Sequence, residues 1–171
     1  MGHPDETDRS RQHEDRVHDT SAGPAAAVVV VGIDGSGTSW DALCLACGET
    51  RRLGGRTVAV FVGSTSAAAS ATAAASFTGT AAIYGAMQQT ITDQAEELGD
   101  QVLGYAREHG VDLAFVHAQG DTATELLRIA GSGHADLIVV GRSTKARHHL
   151  AGSLGRRLVG RRNAPVIVVV P

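Results

Sequence analysis

Aromatic side chains are scarce: Phe, Trp and Tyr together make up 4% of the 171 residues. Proteins that hold nucleic-acid strands rely on aromatic rings for base stacking and on a broad positive surface. With a formal net charge of −3 as well, a nucleic-acid partner is not expected. Cysteine is limited to Cys44 and Cys47, which excludes a disulfide framework. Lysine occurs once, at Lys145, while Ala, Gly and Arg are abundant; that bias points to the coding habit of a high-GC bacterial genome. No apolar run approaches the roughly 20 residues of a membrane-spanning helix, so no membrane partner is expected. Residues 1–24 mix charges of both signs and lack the apolar centre of a secretory signal. They read as a disordered tail ahead of a single cytoplasmic domain over 25–171.

What is present is unevenly spread. Arg142, Lys145, Arg147, Arg156, Arg157, Arg161 and Arg162 fall between Gly141 and Asn163, with no acid among them. The stretch from Ser21 to Val140 carries five basic and twelve acidic residues. A local positive patch on a mildly acidic chain suits a compact anion better than a long polyanion.

Strands and helices alternate along the chain. "AAAVVVVG" is a continuous β-branched run, the mark of a strand buried on both faces. "TSWDALCLACGETRRLGG" follows, with Leu43, Ala46, Cys47 and Thr50 at helical spacing and Gly54-Gly55 as the stop. "RTVAVFVG" is the second strand. Ser64–Ala82 is rich in small residues and reads as a mobile loop or weak helix, with a lid role over the pocket as one expectation. A long helix is predicted from Ile83 to near His109, with Met87, Ile91, Ala95, Leu98, Val102 and Tyr105 on its apolar face. "VDLAFVHA" is strand three. Asp121 is the expected N-cap of the next helix, with Leu126, Leu127 and Ala130 inward. "ADLIVVG", a short helix with Leu154 and Leu158 inward, and "APVIVVV" complete the pattern.

Such alternation implies an α/β fold: a doubly wound, Rossmann-like, five-stranded parallel sheet in the order 3-2-1-4-5 with helices on both faces. Ligands of these sheets bind beyond the carboxyl ends of the strands, where the order reverses. Strands one and four are then central. Their carboxyl ends read "VGIDGSG" and "VVGRST".

At the later turn, Gly141 leaves room for a ligand beside the backbone. Gly152-Ser153 opens a helix whose unpaired N–H groups suit phosphate. Arg142, Ser143, Thr144, Lys145 and Arg147 lie between them. Two readings stand for this loop: a wrap around phosphates, or a glycine-bounded surface loop with solvated charges. At the earlier turn, Asp34 follows Gly32-Ile33 at the end of strand one. Its carboxylate can accept hydrogen bonds from a ribose or a base amine, or it can cap the following helix.

"VVVVGIDGSGTSWDAL", "GDTATELL", "HADLIVVG" and the run from Gly141 to Val170 together resemble the universal stress protein family, across about Val28–Pro171. The family's nucleotide motif is Gly, two residues, Gly, nine residues, then Gly-Ser or Gly-Thr. Here it reads Gly141-Arg142-Ser143-Thr144, seven residues, then Gly152-Ser153. Thr144 stands where the family has glycine, and the loop is shorter. The resemblance implies an ATP or AMP ligand, with Mg²⁺ on its phosphates. It places Gly32, Ile33 and Asp34 on the ribose or adenine side, Val62 at the adenine, and Val140 and Gly141 beside the ribose and α-phosphate. Gly152, Ser153 and Leu154 fall on the phosphates, and Arg142, Ser143, Thr144, Lys145 and Arg147 form the loop that leads to them. Gly155 occupies a position where the family often has a hydroxyl residue. It also implies a homodimer paired through the last strand, 165–170. Where the motif fails, a nucleotide-independent protein with a functional dimer surface is the alternative.

No nucleophile–base pair is evident, so no catalytic residue is assigned. "DGSGTSWD" lacks the paired glycines of a pyrophosphate loop. Cys44-Leu45-Ala46-Cys47 is a CxxC inside a helix among apolar neighbours and reads as core thiols. His148-His149 are adjacent and do not face each other on a helix, and His117 is remote from the expected pocket. No metal site is assigned.

Overall fold

The computed structural model describes residues 26–63, 80–142, 153–160 and 165–171. The strands are β1 (Val28–Gly32), β2 (Arg56–Gly63), β3 (Leu113–Gln119), β4 (Leu137–Gly141) and β5 (Val166–Val170). The helices are α1 (Gly37–Leu53), α2 (Thr80–His109), α3 (Thr122–Ser132) and α4 (Ser153–Val159). All strand pairs are parallel, and the order is β3-β2-β1-β4-β5. The expected fold class is therefore the observed one. α2 starts at Thr80, three residues ahead of the expected Ile83. The lid expectation for Ser64–Ala82 falls outside the described residues up to 79, as does the expected tail over 1–24.

The pleat sorts the side chains of the central strands. Val29 and Val31 face one side, where they pack with Leu43, Ala46 and Cys47 of α1 and Leu98 and Val102 of α2. Val30 faces the other side, with Val58, Val60, Ile138 and Val140, under Leu126 and Ala130 of α3 and Leu158 of α4. Period-two alternation inside an unbroken apolar run is what a sheet buried on both faces requires. Each core is closed by helices whose apolar residues recur at three and four.

Local chemistry sets the helix ends. Ser36 is the N-cap of α1, its side chain accepting from the Ser39 amide. Gly54 closes the helix in the left-handed conformation at φ 68°, its N–H donating to the Thr50 carbonyl, a geometry that costs glycine least. Asp121 is the N-cap of α3, its carboxylate accepting from the Thr124 amide at 3.0 Å. β5 lies at one edge of the sheet. Val166 and Val169 on it are 67% and 49% exposed, and Val159 at the end of α4 is 68% exposed, so this edge of the sheet carries exposed apolar surface.

Candidate functional site

A cleft of about 300 Å³ opens at the carboxyl ends of β1, β2 and β4. Its base and walls include Val60, Val62, Leu126, Val140 and Leu154, and its rim carries Asp34, Thr122 and Arg157. The reversal point of the sheet lies between β1 and β4, which pair with each other while their chain neighbours lie outward. Parallel strands leave their carbonyl ends and the following turns there, and that is why the concavity forms at this place.

Seven expected residues line the cleft: Gly32, Ile33, Asp34, Val62, Val140, Gly141 and Leu154. Ser143, Thr144, Lys145, Arg147 and Gly152 lie outside the described residues, as do His148 and His149. Ser153 is the first residue of α4. Arg142 and Gly155 are not among the lining residues. The Arg142 amide donates to the Val170 carbonyl at 2.7 Å, and its carbonyl accepts from the Thr38 hydroxyl at 2.9 Å. Arg142 thereby ties the end of β4 to β5 and α1. Gly155 is turned to β5, where a Cβ would stand 3.2 Å from a Val169 methyl.

Asp34 takes part in a turn but is not the cap of α1. Its Oδ1 accepts from the Ser36 amide at 3.0 Å and from the Ser36 hydroxyl at 2.6 Å. Its own amide donates to the Ser39 hydroxyl at 3.3 Å, and the buried Ser39 hydroxyl donates onward to the Ser36 carbonyl at 2.8 Å. The cap belongs to Ser36, and Asp34 braces the turn that carries it. The carboxylate is exposed at the rim of the cleft, and each carboxylate oxygen accepts more than one hydrogen bond.

Gly141 has a structural duty as well as a place in the cleft. A Cβ there would meet the Thr38 carbonyl and stand 2.8 Å from the Ser39 amide nitrogen. The first turn of α1 presses on the end of β4, so glycine is required by helix-on-strand packing.

Ser39, Val60, Thr122, Leu126 and Arg157 line the cleft without having been expected there. Leu126 was read as core, which it also is. Arg157 follows Leu154 by three positions, so helical spacing puts it on the same side of α4. Its Nη2 donates to Asp121 Oδ1 at 2.6 Å. The guanidinium, and after it the Thr124 hydroxyl and amide, hold the Asp121 carboxyl down at about 2. The ion pair joins the start of α3 to α4 beside the cleft.

The CxxC pair divides. Cys47 is buried, and burial pushes its thiol up from the ordinary value. Cys44 is exposed, which corrects the core reading for that residue. It lies at the α1–α2 seam, where the Tyr105 hydroxyl donates to its sulfur at 3.6 Å; that bond, with burial, pushes the phenol up to about 12. His117 packs against the Phe61 ring at 5.6 Å between centroids, in a separate groove between α2 and β3.

The sequence model of the universal stress protein family matches residues 27–170. The chain belongs to the universal stress protein family. Solved structures agree on the fold. Universal stress protein UspA from Lactobacillus plantarum superposes with a TM-score of 0.67 at 18% identity, covering 87% of this chain and 100% of that one. A universal stress protein in complex with cAMP gives 0.55 at 22% identity, covering 86% and 98%. The universal stress protein from Archaeoglobus fulgidus in complex with dAMP gives 0.57 at 16% identity, covering 85% and 98%. A comparison with curated protein sequences gives no match. At these identities the structural likeness establishes the fold, and the family assignment rests on the sequence match. No helix among the described residues is long and apolar enough to cross a membrane.

Proposed function

We propose that this universal stress protein binds an adenine nucleotide, ATP or AMP, in the cleft above β1, β2 and β4. The observation that carries the reading is the cleft itself. It sits at the reversal point of the sheet, with an apolar interior, one carboxylate and one guanidinium among its described lining residues. An adenine ring can be buried on Val60, Val62 and Leu126, while Asp34 accepts from a ribose hydroxyl or an amine. The cAMP and dAMP ligands of two structural relatives support the choice of adenine. The glycine-bounded basic loop from Gly141 to Gly152 supplies cationic and hydroxyl side chains for the phosphates. Mg²⁺ would arrive on those phosphates, as it ordinarily does with a nucleotide.

In this reading the protein is a cytoplasmic nucleotide sensor of the stress response, with no hydrolysis or a very slow one. Bound nucleotide acts by shifting a conformational or assembly equilibrium, which requires it to bind one state more tightly than the other. Equilibrium dialysis of the full chain against ATP, AMP and cAMP tests it: saturable binding of at least one is expected, and none at millimolar ligand refutes it.

A second reading is favoured by the β5 edge. Val166 and Val169 leave apolar surface exposed on β5, the edge strand beside β4, and Val159 adds to it at the end of α4; natural sheets ordinarily cover such edges. A second copy paired through 165–170 would cover it, making a homodimer whose surface can function with or without nucleotide. Light scattering across micromolar concentrations should show a dimer, and a monomer throughout removes this reading.

A further inference from the structure

The Asp121–Arg157 pair is exposed on both sides, at 43% and 54% of side-chain surface. Exposed ion pairs add little to stability, so holding α3 to α4 does not account for it. Its consequence is geometric. Asp121 Oδ1 is fixed three times over, by the Thr124 amide at 3.0 Å, the Thr124 hydroxyl at 2.8 Å and Arg157 Nη2 at 2.6 Å. The carboxylate is thus anchored to the first turn of α3 and cannot follow the arginine about. The arginine is instead held to it, at the wall of the cleft.

A guanidinium carries five N–H donors in a rigid fork and matches a phosphate with two of them. One donor is committed to Asp121. Arg157 is the one basic side chain among the described lining residues, next to an interior of Val60, Val62, Leu126, Val140 and Leu154. Beside apolar walls a charged hydrogen bond is stronger than in open water.

We propose that Arg157 selects phosphate-bearing occupants of the cleft, and that Asp121 is the positioning residue that aims its guanidinium. This rests on the adenine-nucleotide reading above and adds the residue that distinguishes a nucleotide from its nucleoside.

The test is titration calorimetry of the full chain with ATP, AMP and adenosine, on the wild type, Arg157→Gln, Arg157→Lys, Asp121→Asn and the double variant Asp121→Asn/Arg157→Gln. Losing a charge-assisted hydrogen bond to phosphate should weaken ATP and AMP binding about tenfold or more in Arg157→Gln. Adenosine binding should fall far less than ATP binding, and circular dichroism and the thermal midpoint of Arg157→Gln should match the wild type, which shows that the variant is folded. Arg157→Lys, which keeps charge but loses the fork, should fall between. Asp121→Asn should lose part of the phosphate preference, and the double variant should be no worse than Arg157→Gln, because the two residues act as one unit. Added salt should weaken ATP binding more steeply in the wild type than in Arg157→Gln. If the wild type binds none of the three ligands, the nucleotide reading fails and the proposal falls with it. If the wild type binds ATP but Arg157→Gln keeps its preference for ATP over adenosine, the proposal alone is overturned. Tighter ATP binding in Asp121→Asn would show that Asp121 competes with the phosphate, and would overturn the positioning role.

Discussion

Gly141 and Thr38 are in contact across the seam between β4 and α1, with the Thr38 carbonyl in the space a Cβ on Gly141 would need. A glycine at the tip of a central strand, next to a ligand cleft, invites a purely functional explanation. Its neighbours show that helix packing demands it too. Gly141→Ala should therefore lower stability even without ligand, by about 1–3 kcal/mol, the usual cost of forcing atoms into a packed seam. Chemical denaturation of the unliganded protein measures this. An unchanged midpoint would show that α1 yields at no cost.

The Thr50 and Thr57 hydroxyls lie 2.6 Å apart and are buried, and the Thr50 hydroxyl donates to the Ala46 carbonyl. With its proton so used, Thr50 receives the Thr57 proton. Thr50→Val strips the acceptor from a buried donor and should cost about 1–3 kcal/mol. Thr57→Val leaves the Thr50–Ala46 bond intact and should cost less. Urea midpoints of the two variants decide the order, and a reversed order would refute the assigned donor directions.

Asp121 is held at about 2 against an ordinary 3.8, with Arg157 as the first cause. A depressed carboxyl stabilises the fold above its unfolded value, and that stabilisation fades as pH falls from about 4 through about 2. Asp121→Asn should flatten the decline of stability over that window and change little at neutral pH, where asparagine still caps α3. The effect should be small, because the pair is exposed. Thermal melts of both proteins across the window check the slope, and parallel curves would contradict the assignment.

Cys44 is exposed and Cys47 is buried, with its thiol pushed up by burial. The thiolate is the reactive species. A thiol reagent should label one cysteine of the native protein quickly and the second only on unfolding, and Cys44→Ser should remove the fast phase. Two equally fast thiols would mean that α1 does not pack as described.

The strands were legible in the sequence because each central one is a near-continuous apolar run, rich in valine and ending in glycine, a pattern that parallel sheets with two covered faces require. The start of α2 was not, since its first turn lies in a run of alanine, threonine and glycine that carries no periodic signal. In the site, Asp34 and Gly141 could be read because topology sends the ends of the central strands to the cleft, while Gly32, Ile33, Val62 and Val140 came from the family resemblance. The helix-borne wall could not be read the same way. Leu126 looks like any core residue. Arg157 sits in a run of arginines where only its three-residue offset from Leu154 sets it apart, and its partner Asp121 is 36 positions away in the chain. Cys44 was placed in the core because its chain neighbours are apolar, but neighbours in sequence point to different sides of a helix, and Leu45 beside it is itself 39% exposed.

A structure of the full chain determined with ATP in excess tests the central claim most directly. The account predicts nucleotide lying over Gly32, Ile33 and Asp34, with the base against Val62 and a phosphate within hydrogen-bonding reach of Arg157. Nucleotide bound elsewhere, or the cleft between Asp34 and Arg157 empty at saturating ATP, would contradict it.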